Sequence, residues 1–221
     1  MKRNFLFIIP DLDYQKNDLN VKEPHVRAII GQLARIITNT LFLSHSLRKD
    51  ILILIFVLKP KPHLFKISSE SIRYLGPELR SSASIFLKAE KFIQEKLLVD
   101  EKQTIEKWFE PNPGLFVKLT NLPFIGLKEN MHFIFIECDK NFESQQMTLQ
   151  KFDELITNNN SNDHTKTFYV FSLLKDFSAL QTFEPIFPEK NSVKINLVNK
   201  IPIPNILTII NLILDKTEKN N

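Results

Sequence analysis

The run Ile51-Leu52-Ile53-Leu54-Ile55-Phe56-Val57-Leu58 decides the fold class of this chain. It is unbroken apolar sequence rich in β-branched side chains, which is typical of a strand buried on both faces of a parallel sheet. A helix is predicted just before it, because apolar residues recur at helical spacing over residues 29–41. A buried strand that follows a helix indicates an α/β fold with a mainly parallel sheet.

The rest of the chain continues this alternation. Further strands are predicted at residues 5–9, 63–68, 115–119, 131–137, 168–172 and 193–197. Further helices are predicted at 81–98, at 148–156, and from Asn205 as N-cap to about Asp215. Polar loops are predicted at 11–23 and 158–163, and a tight turn at Pro113-Gly114. The last helix is apolar nearly all round, which predicts burial on more than one side.

Length and composition are those of one globular domain. The chain has 221 residues, 43% of them hydrophobic and 24% charged. A single cysteine excludes an internal disulfide and fits a reducing, cytoplasmic setting. No apolar run approaches the roughly 20 residues of a membrane-spanning helix, and the histidines lack metal-ligand spacing. We therefore expect neither a membrane nor a metal. The net charge of +4 permits nucleic-acid binding without showing it.

Four segments carry a resemblance to a known family. They are Leu41-Phe42-Leu43-Ser44-His45-Ser46-Leu47-Arg48-Lys49-Asp50, then 76–88, Pro113-Gly114-Leu115-Phe116-Val117-Lys118, and 207–216. In order and spacing they resemble motifs of the SPOUT-class RNA methyltransferases that methylate N1 of pseudouridine in the T-loop of archaeal tRNA. The resemblance covers about residues 24–216.

The resemblance implies a fold and a set of partners. The fold would be a single SPOUT methyltransferase-like domain over residues 1–221, with an insertion at about 140–166. Its parallel sheet would end in a C-terminal trefoil knot, a rare exception to unknotted topology. S-adenosylmethionine would bind in the knot loops, and tRNA would be the substrate. Two copies would pair as a homodimer with the active site at their interface.

Arg35, His45, Arg48 and Arg80 are the RNA-binding residues that the resemblance implies. A guanidinium can hold a phosphate with two hydrogen bonds, but Arg35 also suits a solvated helix face. His45, Arg48 and Asp50 are predicted to close the first long helix, where basic side chains also complement the helix dipole. Arg80 lies in a predicted RNA-facing loop with Glu78, and a surface ion pair explains the two equally well.

The methyl donor would lie against Ile136, Ser172, Leu197 and Ile206, which match donor-contacting positions of the family. Around them the chain departs from the family pattern. The family has glycines and an Asp-His pair after the strand that ends at Ser172, whereas this chain has no glycine beyond Gly126. Glycine lets backbone approach a ligand closely, so the donor loops are altered.

The catalytic group is also altered. The family carries an aspartate on the first helix where this chain has Gly31. Methylating N1 of pseudouridine removes an N–H proton, which a positioned carboxylate can take. Arg35, His45 and Asp50 remain as catalytic candidates. Three hypotheses follow: a tRNA pseudouridine N1-methyltransferase, an inactive SPOUT-fold protein that binds RNA or forms a heterodimer, and a methyltransferase of ribosomal RNA pseudouridine.

Overall fold

A nine-stranded, mostly parallel sheet forms the centre of the molecule, and four helices pack on it. The structure is a computed structural model that describes residues 3–12, 28–43, 46–99, 106–120, 131–137, 145–160, 166–173, 192–197 and 201–220. Within these residues the chain is a mixed α/β fold, as the apolar strand runs predict.

Eleven strands are described. They are β1 Arg3–Asp11, β2 Phe42–Leu43, β3 Ser46–Leu47, β4 Ile51–Lys59, β5 His63–Ser68, β6 Phe109–Asn112, β7 Leu115–Leu119, β8 Met131–Glu137, β9 Gln145–Met147, β10 Lys166–Ser172 and β11 Ser192–Leu197. The main sheet has the order β6-β7-β5-β4-β1-β10-β8-β11-β9, while β2 and β3 form a separate two-stranded ribbon. Strands β4, β1, β10, β8, β11 and β9 are parallel, and β5, β7 and β6 extend the sheet antiparallel.

The four helices share one face of the sheet. They are α1 Ala28–Leu41, α2 Leu79–Phe92, α3 Leu149–Asn160 and α4 Ile203–Asn220, and a π-helical turn, Ile93–Leu97, continues α2. Successive side chains of a strand point to opposite faces. Phe5, Phe7 and Ile9 belong to the core cluster that contains the buried residues of all four helices, whereas Leu6 and Ile8 belong to a second cluster. None of the described helices is long and apolar enough to cross a membrane.

Most predicted elements are confirmed. The apolar run at 51–58 is an interior strand, β4, parallel to β1 and antiparallel to β5. The predicted strands and the helices at 29–41, 81–98 and 148–156 all appear, with ends shifted by a few residues. The predicted loop at 158–163 is partly wrong, because α3 continues to Asn160. Of the loop predicted at 11–23, residues 13–23 lie outside the described residues.

The predicted turn at Pro113-Gly114 is confirmed, between β6 and β7. Gly114 has φ +79°, a left-handed conformation that side chains with a Cβ rarely adopt. A Cβ at Gly114 would also overlap the backbone of Ile72. The backbone N–H of Gly114 donates to Glu110 Oε1 at 2.8 Å. Both the conformation and the contact therefore require glycine here.

One prediction about the last helix is wrong, and a second is confirmed in part. Helix α4 begins at Ile203, and Pro202 precedes it: its carbonyl accepts from the N–H groups of Asn205 and Ile206. Asn205 is thus inside the helix. Pro204 is tolerated in the first turn because the N–H groups there have no partner within the helix. The predicted burial on more than one side is confirmed in part: α4 packs against α1 and α3, but Leu212 is 52% exposed.

Candidate functional site at the carboxyl edge of the sheet

The donor-binding candidates meet at one edge of the sheet. Strands β10, β8 and β11 are adjacent and parallel, so their carboxyl ends lie side by side. Ile136 near the end of β8 is in register with Phe171 on one side and Ile195 on the other. Open parallel sheets bind ligands at the carboxyl ends of their strands. The structure therefore places Ile136, Ser172 and Leu197 at the edge where such sheets hold ligands.

The side chains at this edge are apolar and well buried. Ile136 is 3% exposed, Leu197 4% and Ile206 1%, and all three belong to the main core cluster. Ser172 is half-buried at the end of β10 and supplies a hydroxyl. Ser172 follows Phe171 of the main core cluster and is in register with Ile8 of the second cluster, so its side chain points to the other face of the sheet from Ile136 and Leu197. The segments that follow these strands, residues 138–144, 174–191 and 198–200, lie outside the described residues.

Arg48 and Asp50 lie at the opposite edge. Ser172 is in register with Ile8, and Ile8 with Phe56, six residues beyond Asp50. At about 3.3 Å per residue, Asp50 and Ser172 are separated by about 20 Å within one chain. Asp50 of a given chain is therefore too far from that chain's donor edge to take a proton from the methylated base.

The prediction that His45, Arg48 and Asp50 close a long helix is wrong. Helix α1 ends at Leu41, and the β2–β3 ribbon follows it. The N–H of Arg48 donates to the carbonyl oxygen of Leu41 at 2.8 Å, so backbone rather than a basic side chain satisfies this last carbonyl. His45 lies outside the described residues.

Arg48 and Asp50 instead belong to an ion-pair network around Arg3. Arg3 is 2% exposed, and its Nη2 lies 2.7 Å from Asp215 Oδ1 and 2.9 Å from Glu218 Oε2. Its Nε lies 2.7 Å from Asp50 Oδ2, an electrostatic contact without hydrogen-bond geometry. Arg48 Nη1 donates to Asp215 Oδ1 at 2.6 Å. The network ties the start of β1 to the end of α4.

Asn211 completes this junction. Its Nδ2 donates to the carbonyl oxygens of Asn39 and Thr40 at the end of α1, and its Oδ1 accepts from Arg3 Nη1 at 3.3 Å. Asn211 is 2% exposed, so a nonpolar replacement would leave these groups buried without partners. No local pattern in the sequence marks Arg3, Asn211, Asp215 or Glu218, because more than 200 residues separate Arg3 from its partners on α4.

Asp215 makes stability depend on pH. Burial raises its pKa, but hydrogen bonds from Arg48 and Arg3, with their positive charges, outweigh burial and hold the pKa below the ordinary 3.8. A carboxyl group whose pKa is lower in the folded state stabilises the folded protein at pH values above its unfolded pKa. This stabilisation is lost as the pH falls through the pKa of the folded state. We therefore expect Asp215→Asn to flatten the fall in unfolding free energy below about pH 4.

Denaturant titrations across the acid range measure this effect. Glu154→Gln, which replaces an exposed carboxylate on α3, is the matched control and should retain the wild-type slope. An Asp215→Asn variant with the same acid dependence as the wild type would contradict the assignment.

The other two arginines predicted to bind RNA, Arg35 and Arg80, lie on exposed helix surface. Arg35 is exposed on α1. Arg80 is exposed in the first turn of α2, whose N-cap is Glu78, so the predicted loop around Arg80 is a helix start instead. Their RNA contacts, and those of His45 and Arg48, stay predictions.

Gly31 leaves room where the family has its carboxylate. It lies in the first turns of α1, and a Cβ built there meets no atom within 4 Å. Helix α1 connects the carboxyl end of β1 to the amino end of β4, so Gly31 lies toward the donor edge of the sheet. Residues 31 and 35 are one helical turn apart and share a face, which puts any side chain at 31 beside Arg35.

The described residues contain no group of three or more His, Cys, Asp or Glu that could hold a metal ion. The described residues thus form an α/β protein with a mostly parallel sheet. Its candidate donor edge is apolar, and the charged side chain that helix α1 exposes is Arg35.

Comparison with known proteins finds named relatives of this chain. The chain is similar to three proteins named tRNA (pseudouridine(54)-N(1))-methyltransferase. The one from Methanococcoides burtonii is 32% identical over 126 residues, 54% of this chain and 55% of that protein. The one from Methanocella arvoryzae is 33% identical over 87 residues, 38% of this chain and 41% of that protein. The one from Methanocaldococcus jannaschii is 26% identical over 129 residues, 56% of this chain and 61% of that protein.

No family model matches the chain. The matches span from about two fifths to three fifths of the length of these curated relatives. The similarity to these three methyltransferases covers between 38% and 56% of this chain.

Proposed function

We propose that this protein transfers a methyl group from S-adenosylmethionine to N1 of pseudouridine in the T-loop of tRNA. The carrying observation is the convergence of Ile136, Ser172 and Leu197 at the carboxyl ends of three adjacent parallel strands. The names of the relatives supply the reaction and the substrate. The proposal includes the single domain with its insertion at about 140–166, the C-terminal knot, a homodimer and a cytoplasmic location.

One group of residues contacts the methyl donor, and Arg35 contacts the RNA. Ile136, Leu197 and Ile206 contact the donor from the face of the sheet that carries the helices, and Ser172 at the end of β10 contacts it from the opposite face, across the strand ends. When bound, S-adenosylmethionine supplies the methyl group as its sulfur–carbon bond breaks and the N1–carbon bond forms. Arg35 holds the RNA from α1, and the N1 proton leaves to a base that the described residues do not identify. Base-modifying enzymes take a stacked base out of the helix, and the T-loop base is expected to do the same.

Methyl transfer to matched RNAs tests the proposal. The protein is incubated with donor carrying a labelled methyl group and a T-arm RNA that contains pseudouridine. Label in N1-methylpseudouridine, and none in the same RNA with uridine at that position, is expected. A ribosomal RNA hairpin with pseudouridine serves as the competing substrate. Faster transfer to that hairpin would favour a methyltransferase of ribosomal RNA pseudouridine. No transfer to either RNA would overturn the proposal.

Arg35→Ala is expected to weaken binding of the T-arm RNA by about tenfold without changing the unfolding free energy. Arg35 is exposed, so its loss removes a phosphate contact rather than packing. Filter binding at several salt concentrations, together with urea unfolding, measures both. Arg73→Ala, another exposed arginine, is the control and should leave both values unchanged. Equal losses of affinity in the two variants would show that Arg35 has no specific role.

A second candidate function has an observation in its favour. Gly31 has no side chain where the family has an acid, and the chain beyond Gly126 has no glycine for the donor loops. An inactive SPOUT-fold protein that binds RNA, alone or with a related subunit, would show these changes. It would bind the T-arm through Arg35 and transfer no methyl group.

A further inference from the structure

A cavity of about 410 Å³ lies at the carboxyl ends of β1 and β4, on the same edge of the sheet as the donor candidates but on different strands. Helix α2 and its π-helical turn form its other wall, and the start of β5 its floor. Ligand sites usually occupy about 300–1,000 Å³, so this cavity matches a small ligand rather than a large one. The donor candidates Ile136, Ser172, Leu197 and Ile206 do not line it.

A buried histidine and a buried glutamate line the inner end of the cavity. His63 and Glu90 are 2% and 8% exposed, and His63 Nε2 lies 3.0 Å from Glu90 Oε1. His63 Nδ1 lies 2.7 Å from the carbonyl oxygen of Lys61, which can only accept, so Nδ1 carries a proton. Both ring nitrogens of His63 are occupied by these contacts, so the carboxylate of Glu90 is the group of the pair that can accept a further hydrogen bond from a ligand.

The helix wall is distorted in a way that enlarges the apolar lining. The N–H of Leu98 donates to the carbonyl oxygen of Ile93 at 3.0 Å, a bond across five residues. In a regular α-helix, residues five apart point about 140° apart. The wider π turn brings them closer in direction, and both Ile93 and Leu98 line the cavity. Single π turns occur often at functional sites.

The mouth of the cavity is positively charged. Lys59 and Lys61 are exposed on the turn between β4 and β5, and Asp11 is the carboxylate beside them. Lysine binds phosphate as a point charge on a flexible stem. The cavity thus offers apolar walls for a flat ring, polar groups at its inner end and cations at its mouth.

We propose that this cavity binds one nucleotide. The base lies between Leu12 and the walls formed by Ile93 and Leu98, and an N–H group on its edge donates to the carboxylate of Glu90. The phosphate lies at the mouth with Lys59 and Lys61. A free nucleotide and a nucleotide within an RNA strand have the same chemistry here. The site goes beyond the methyl-transfer proposal and does not rest on it, since a protein with no donor binding would keep this cavity.

Calorimetric titrations with uridine 5′-monophosphate, uridine, inorganic phosphate and a short oligouridylate test the proposal. We expect saturable binding of the monophosphate or the oligonucleotide. Lys59→Glu should weaken it by about tenfold, because one attractive charge becomes repulsive. Gln94→Trp should abolish it, since Gln94 lines the cavity yet is exposed, and the indole can fill the space without disturbing the core. Lys88→Glu on α2 and Gln150→Trp on α3 are exposed controls outside the cavity and should bind as the wild type does.

The ligand that binds distinguishes a free nucleotide from a nucleotide within an RNA strand. Equal affinity for the monophosphate and the oligonucleotide assigns a free nucleotide, and binding of the oligonucleotide alone, lost in Gln94→Trp, assigns RNA. Phosphate binding as tightly as the monophosphate would overturn the proposal, because the base would then have no site. Binding that survives Gln94→Trp, or no saturable binding to the folded protein, would overturn it too.

Discussion

Arg3→Met is expected to cost about 3–5 kcal/mol of unfolding free energy, the usual loss when one partner of a buried ion-pair network is removed. Arg3 is almost completely buried and contacts Asp50, Asp215 and Glu218. Methionine keeps most of the volume but leaves three carboxylates facing one another, with Arg48 as the remaining arginine among the described contacts of Asp215. Equilibrium unfolding in urea at neutral pH measures the loss.

Arg73→Met is the matched control for this substitution. Arg73 is exposed and donates only to nearby backbone carbonyls, so its replacement should change the free energy by less than about 0.5 kcal/mol. If Arg3→Met cost no more than Arg73→Met, the network at the amino edge would not hold β1 to α4.

Gly31→Asp is expected to raise the rate of methyl transfer by about 100-fold, the lower end of what a positioned general base contributes. The backbone position tolerates a side chain, because nothing lies within 4 Å of a Cβ there. The new carboxylate would face Arg35 one turn away, on the end of α1 nearest the donor edge. Single-turnover transfer to the pseudouridine T-arm RNA measures the rate.

Two variants at the same position separate chemistry from helix stability. Gly31→Asn has nearly the same shape but cannot accept the proton as a carboxylate does, and its rate should equal that of the wild type. Gly31→Ala should stabilise α1 by about 1 kcal/mol, since alanine favours helix over glycine, again with no change in rate. A rate in Gly31→Asn equal to that in Gly31→Asp would contradict a proton-accepting role.

The described elements show which parts of the fold local sequence determines. Helix α1 is predicted correctly because its apolar residues recur at helical spacing, and strand β4 because its apolar run is short and rich in β-branched residues. The short strands β2, β3, β6 and β9 are not predicted, since a strand of two to four residues carries too little periodicity. The start of α4 is predicted three residues late, because Asn205 looks like a cap whereas the carbonyl of Pro202 begins the helix.

Some candidate site residues are also predicted from the sequence, whereas others are not. Ile136, Ser172 and Leu197 are predicted as neighbours, and parallel register confirms that their strand ends are adjacent. Arg48 and Asp50 look functional in sequence because charge is unusual beside a buried strand, yet their partners Arg3 and Asp215 lie at the two ends of the chain. The His63–Glu90 pair escapes prediction for the same reason: it joins β5 to α2, and neither residue stands in a motif.

Donor binding separates an active methyltransferase from an inactive RNA-binding protein most directly. The measurement is a calorimetric titration of S-adenosylmethionine into the purified, folded protein, with Ser172→Trp as the blocked variant and Gln150→Trp as its control. We predict saturable binding at micromolar concentration in the wild type and in Gln150→Trp, and none in Ser172→Trp. The absence of binding heat in the folded wild type at high protein concentration would contradict the account, since the carboxyl edge of β8, β10 and β11 would then hold no donor.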